Sequence, residues 1–117
     1  MASCLEEILE VNRQIRLILC TCPDQESAKT VANTLVDKRL AACVNIIPQI
    51  MSIYRWQDKV EHSNELLLLI KTNKDCVAQI QATICEIHPY ELPEIISVPI
   101  ENGLATYLAW IDENVTP

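Results

Sequence analysis

Glycine, phenylalanine and basic charge are what this chain has least of. One glycine, Gly103, stands in 117 residues, and there is no phenylalanine. A single glycine cannot build the phosphate-cradling loops of nucleotide-binding proteins, which need several positions free of a Cβ where backbone meets phosphate. A G-x-S-x-G nucleophile turn is missing for the same reason. Without phenylalanine the core must be aliphatic, packed from Leu, Ile, Val and Ala. Nine Lys and Arg face sixteen Asp and Glu, a formal charge of −7. That balance repels phosphate backbones and anionic headgroups, so it argues against nucleic acid and membrane as partners and favours cations. Long hydrophobic runs are missing too: the longest aliphatic stretch is Leu66 to Ile70, far below the ~20 residues of a membrane span. The first residues are acidic (Glu6, Glu7) where a signal peptide is basic, so the expected location is cytoplasmic.

What is present is half hydrophobic. The length is that of one domain, and the apolar content exceeds what a monomer comfortably hides, which points to an oligomer. Six cysteines (Cys4, Cys20, Cys22, Cys43, Cys76 and Cys85) contain no C-x-x-C pair, so zinc ribbons and thioredoxin-type motifs are unsupported. With no secretion signal, reduced thiols are expected. Cys43, among Leu40, Ala41, Ala42 and Val44, reads as a small buried hydrophobe.

Along the chain, residues 1–14 read as a tail and residues 15–117 as a single domain. Ile15 to Cys22 is a β-branched and aliphatic strand stopped by Pro23. Asp24 is a helix N-cap, Ala28, Val31, Ala32, Leu35 and Val36 follow at helical spacing, and Lys38 and Arg39 close the last turn. Leu40 to Ile47, ending at Pro48, reads as a strand. The alternation from Gln49 to Trp56, a turn at Gln57-Asp58-Lys59 and a return from Val60 to Thr72 make a long hairpin. Asn73 or Asp75 caps a second helix with a Val77, Ile80, Ile84, Ile87 stripe, ended by His88-Pro89. Pro93 to Ile100 is a last strand, in part on an edge because Pro99 lacks a ladder donor. Leu104, Tyr107, Leu108 and Ile111 mark a short terminal helix. The order β-α-β-β-α-β is the split βαβ arrangement: an α+β, ferredoxin-like sandwich with an antiparallel sheet, a long hairpin and an added C-terminal helix. The overhanging hairpin has unpaired edges that call for a partner.

Chemistry-bearing residues are few. His62 sits in a polar stretch and reads as a solvated imidazole. Cys20 and Cys22 lie at strand positions i and i+2, which share a face ~6.6 Å apart, close enough for a soft metal. The bland alternative makes Cys20 core and Cys22 the start of a turn. His88-Pro89-Tyr90-Glu91-Leu92-Pro93-Glu94 gathers an imidazole, a phenol and carboxylates between stiffening prolines, either a binding loop or a structural crossover.

Several motifs occur in order: Leu19-Cys20-Thr21-Cys22-Pro23, Lys38 to Asn45, Ser52-Ile53-Tyr54-Arg55-Trp56, Glu65 with Ile70-Lys71-Thr72, His88 to Ile96, and Tyr107-Leu108-Ala109-Trp110-Ile111. Through them, over about residues 15 to 112, the chain closely resembles the CutA divalent-cation-tolerance family. The resemblance implies a PII-like homotrimer in which hairpins pair between subunits. It also implies copper or another divalent cation as ligand, with Cys20 and His88 at the positions of proposed metal ligands. Ile87 stands where members of the family have a further histidine, and Asp58 stands in the turn where they usually have glycine. The leading expectation is a non-enzymatic, copper-binding homotrimer of metal homeostasis, with Glu91 or Glu94 as oxygen ligands or partners orienting the histidine. A second is a PII-like module that holds a small molecule or partner protein in an intersubunit cleft through Trp56, Glu65, Lys71, Tyr90, Glu91 and Glu94. A third is a scaffold without a ligand of its own.

Overall fold

A computed structural model describes residues 14–117. The expected tail lies, up to residue 13, outside the described residues. The described elements are β1 (Ile15–Cys22), α1 (Gln25–Asp37), β2 (Cys43–Trp56), β3 (Lys59–Asn73), a single 3-10 turn (Lys74–Cys76), α2 (Val77–Ile87), β4 (Ile96–Pro99) and α3 (Ala105–Glu113). The four strands form one antiparallel sheet in the order β2-β3-β1-β4. That is the ferredoxin-like arrangement expected from the element order.

β1 occupies the expected span because it is apolar on both faces and is stopped by Pro23. Asp24 caps α1 as anticipated: its Oδ1 accepts from the Ser27 N–H at 2.7 Å. This bond holds the Asp24 carboxyl below its ordinary range. α1 ends at Asp37, before Lys38 and Arg39, because Arg39 turns into the left-handed region (φ 59°) and breaks the ladder.

Pro48 does not end a strand. β2 runs through it, and the register slips between Ile47 and Ile50, where Gln49 adopts φ 62°. A bulge frees the proline from its ladder position, so the two expected strand pieces are one. Leu40 to Ala42 lies outside β2. The hairpin closes in a two-residue loop, Gln57 and Asp58, both at positive φ (49° and 64°); that conformation matches the twist of paired strands and is usually given to Asn-Gly. Residues 59–65 of β3 pair with β2 alone and project beyond β1. Asn73 caps the 3-10 turn through Oδ1 and the Cys76 N–H, at 3.2 Å. β4 is shorter than expected and is the edge strand that Pro99 requires.

Because side chains alternate across a strand, the sheet has two distinct faces. Ile18, Cys20, Cys22, Leu68 and Ile70 point toward α1 and α2 and are fully buried with Val31, Leu35, Ile80 and Ile84. On the other face, Leu17, Leu19, Leu67 and Leu69 are partly buried. Beside them Ile47, Ile96 and Val98 are exposed. α3 covers only one end of this face, packing Leu108 and Ile111 against Ile15 and Ile100.

Candidate metal and binding site

β1 delivers Cys20 and Cys22 to the helix-side face, and α2 ends at His88, whose backbone turns extended before Pro89. These two events bring the thiols and the imidazole together. The Sγ atoms of Cys20 and Cys22 and a ring nitrogen of His88 all lie within 4.8 Å of one another, and all three residues are buried. Cys22 Sγ is 3.6 Å from His88 Nε2. In a tetrahedral zinc site with metal–sulfur bonds of about 2.3 Å, ligand atoms stand about 3.5–3.8 Å apart, so a modest contraction would seat an ion.

The two thiols share their protons unequally. The hydrogen bond from Cys20 lowers the Cys22 pKa, helped by Ser27 and opposed by burial. Cys20 is pushed well above the ordinary thiol range, first by that same hydrogen bond, then by burial and by the negative charge of Cys22, Glu94 and Glu65. Cys22 is therefore the first thiolate and Cys20 its donor.

The imidazole already has two partners. The Tyr90 N–H donates to Nδ1 at 3.0 Å, and Nε2 lies 2.7 Å from the Thr21 carbonyl. A backbone N–H can only donate and a carbonyl can only accept, so the ring is neutral with its proton on Nε2. It ties the loop after α2 to the end of β1. To coordinate a metal through Nδ1 it must release the Tyr90 N–H, and through Nε2 it must release both bonds because the proton moves to Nδ1, whereas the two sulfurs need release none to the backbone beyond a 3.8 Å contact from Cys20 to the Thr21 carbonyl.

Next to this cluster the Tyr90 hydroxyl donates to Glu65 Oε2 at 2.7 Å. Glu65 is only 6% exposed. Burial and the neighbouring Glu65 charge raise the Glu94 pKa, and burial with the Glu65 bond raises that of Tyr90. The remaining candidates lie elsewhere. Glu91 is exposed on the loop, Trp56 is exposed at the hairpin tip, and Lys71 is at the far end of β3, bound to Tyr107. Within one chain the expected cleft residues thus form three separate groups. Cys22, which the i, i+2 spacing puts beside Cys20 as a partner for a soft metal, stands in the cluster; the Thr21 carbonyl, also there, was not among the expected groups. His62 is exposed, as expected.

A family model described as CutA1 divalent ion tolerance protein matches residues 16–114. The chain belongs to the CutA1 family. A CutA1 relative from Thermus thermophilus, a divalent-cation tolerance protein, is 47% identical over 98 residues, covering 84% of this chain and 95% of the relative. Protein CutA of Homo sapiens is 47% identical over 91 residues, 78% of this chain and 51% of its own length. The chain therefore spans about half of that longer relative. Among solved structures, CutA1 from T. thermophilus aligns with TM-score 0.86 at 45% identity, covering 87% of this chain and 99% of that one. CutA from Xylella fastidiosa gives TM-score 0.86 at 46% identity, over 88% and 99%. Relatives are named chloroplastic in Arabidopsis thaliana and periplasmic in Archaeoglobus fulgidus. Among the described residues no helix is long and apolar enough to cross a membrane.

Proposed function

We propose that the protein is a metal-binding homotrimer that takes up copper, or another soft ion, in the response to metal ions. The observation that carries this reading is the buried convergence of Cys20, Cys22 and His88. Two sulfurs and an imidazole suit Cu(I) or Zn(II) and exclude hard cations such as Mg(II) and Ca(II) as preferred ligands. Cys22 compensates for the histidine replaced by Ile87: it supplies a donor already biased toward the thiolate form. The sulfurs are the primary ligands, and His88 joins through Nε2 by moving its proton to Nδ1, which gives up both the Thr21 carbonyl and the Tyr90 N–H. Glu65 and Glu94 add negative charge nearby rather than ligand atoms. Assembly covers the open apolar sheet face and pairs the projecting hairpin. Binding rather than catalysis is the role, and the free thiols of Cys20, Cys22, Cys43, Cys76 and Cys85 suit a reducing compartment such as the cytoplasm.

The test is metal analysis with calorimetric titration of Cu(I), Zn(II) and Cu(II) under reducing conditions. Wild type should bind a soft ion that Cys20→Ser and Cys22→Ser do not; equal binding by all three proteins would sink the reading. The buried Glu65–Tyr90 pair beside Glu94 supports a second one, a small molecule or partner held between subunits. It predicts a ligand-dependent rise in melting temperature that survives Cys20→Ser.

A further inference from the structure

Three segments wall a cavity of about 380 Å³ on the helix side of the fold. They are the end of α1 with Lys38 and Leu40, the first half of α2 with Gln79 and Thr83, and Thr116 beyond α3. The third wall is pinned: the Thr116 N–H donates to the Arg39 carbonyl at 2.7 Å, and Val115 is buried in the helix-side core. α1 begins beside Cys22 and α2 ends at His88, so the cavity lies at the opposite ends of the two helices from the sulfur–imidazole cluster. Its volume is in the lower range of small-molecule sites.

Thr83 is 8% exposed, and among the described residues its hydroxyl has no hydrogen-bond partner. A threonine in a helix ordinarily bonds the carbonyl four residues back, as Thr34 does with Thr30 at 2.7 Å. A buried hydroxyl left unpaired is costly, so an acceptor or donor from outside the chain is needed to satisfy it. Among the described residues no carboxylate pairs with Lys38 either. Its place after α1 suits the negative end of the helix dipole, which accounts for the charge but not for Thr83. The lining side chains of Lys38, Gln79, Thr83 and Thr116 can all donate, and none of the lining side chains is acidic although the chain carries a formal charge of −7. Leu40 and Ala82 add apolar surface beside these donors. A water alone would satisfy the hydroxyl and leave the ammonium and the apolar wall without a role.

We propose that this cavity binds a small organic oxyanion, a carboxylate or a phosphate ester, whose charged oxygens take the Lys38 ammonium and the Thr83 hydroxyl while its carbon part lies against Leu40 and Ala82. Gln79 and Thr116 supply further donors at the rim. This site is separate from the proposed metal ligands and does not depend on them.

The test titrates full-chain, metal-free, ¹⁵N-labelled protein with benzoate, phenyl phosphate and inorganic phosphate, followed by amide NMR shifts. Benzoate and phenyl phosphate share a ring and separate a carboxylate preference from a phosphate one, and inorganic phosphate lacks the apolar part. The expected result is saturable shifts confined to the amides around Lys38, Thr83 and Thr116 with one or both ring-bearing probes, and weaker binding of inorganic phosphate. Thr83→Val removes the hydroxyl at nearly constant shape and Lys38→Met removes the charge. Each should weaken binding roughly tenfold or more, while zinc uptake stays at the wild-type level. Without ligand, Thr83→Val should melt no lower than wild type, since the lost hydroxyl had no partner in the chain. Absence of saturable shifts, binding of inorganic phosphate alone, equal shifts around Lys29 and Lys59, or wild-type affinity in both variants would overturn the site and leave the metal reading untouched.

Discussion

His88→Ala separates the structural role of the imidazole from its metal role. The ring holds two backbone groups from different parts of the chain, the Tyr90 N–H at 3.0 Å and the Thr21 carbonyl at 2.7 Å. At 8% exposure, water cannot freely replace either bond. An unpaired buried backbone group costs about 1–3 kcal/mol, so two of them, softened by local relaxation, give about 2–4 kcal/mol. For a domain of this size that corresponds to a melting midpoint lower by about 10–20 °C. The assay is guanidinium and thermal unfolding of metal-free protein at fixed concentration, because assembly makes the midpoint concentration-dependent. His88→Gln offers both an acceptor and a donor and should recover part of the loss. An alanine variant unfolding within about 0.5 kcal/mol of wild type would refute the clamp.

Other expectations follow from the same geometry. Leu68→Ala, fully buried between Cys20 and Ile46 partners, should cost about 2–5 kcal/mol in chemical denaturation. Asp58→Gly relieves a side chain at φ 64° and should raise the guanidinium midpoint by about 0.5–1 kcal/mol equivalent, net of glycine's entropy. Glu94 has a raised pKa in the folded protein. The folded state therefore holds its proton more tightly than the unfolded chain, and stability should fall as pH rises through the usual carboxylate range and the raised value. Glu94→Gln should flatten that slope, and an unchanged slope would discount the burial argument. Metal must displace the strongly held Cys20 proton, so soft-metal affinity should weaken as pH falls. Above the Cys22 transition, uptake should release about one proton, read by titration in buffers of different ionisation enthalpy.

The elements were legible where local signals agreed. β1, bounded by Pro23, and the Asp24 cap fell where hydrophobic pattern and capping chemistry put them. Pro48 misled because the proline's missing donor is harmless at a bulge, and the bulge depends on how β3 pairs with β2. Gln57-Asp58 closes a tight turn without glycine, which only the strand pairing compels. In the site, the side-by-side thiols were readable from strand alternation. His88 lies 66 residues from Cys22, so its approach depends on α2 ending at the open end of β1. The resemblance supplied that pairing; spacing could not. Nothing local linked Lys71 to Tyr107, 36 residues on, and neither belongs to a recognisable motif of charge. The cleft residues were expected between subunits, and within one chain the fold separates them because β3 is long enough to carry Glu65 and Lys71 to opposite ends of the sheet.

The proposed metal site depends on Cys20 and Cys22 holding the ion together. X-ray absorption of protein loaded with Zn(II) or Cu(I) counts those sulfurs directly. Two sulfur scatterers per metal are expected, at about 2.3 Å for zinc, falling to one in Cys22→Ser. A metal surrounded only by nitrogen and oxygen, or a Cys22→Ser spectrum identical to wild type, would contradict it.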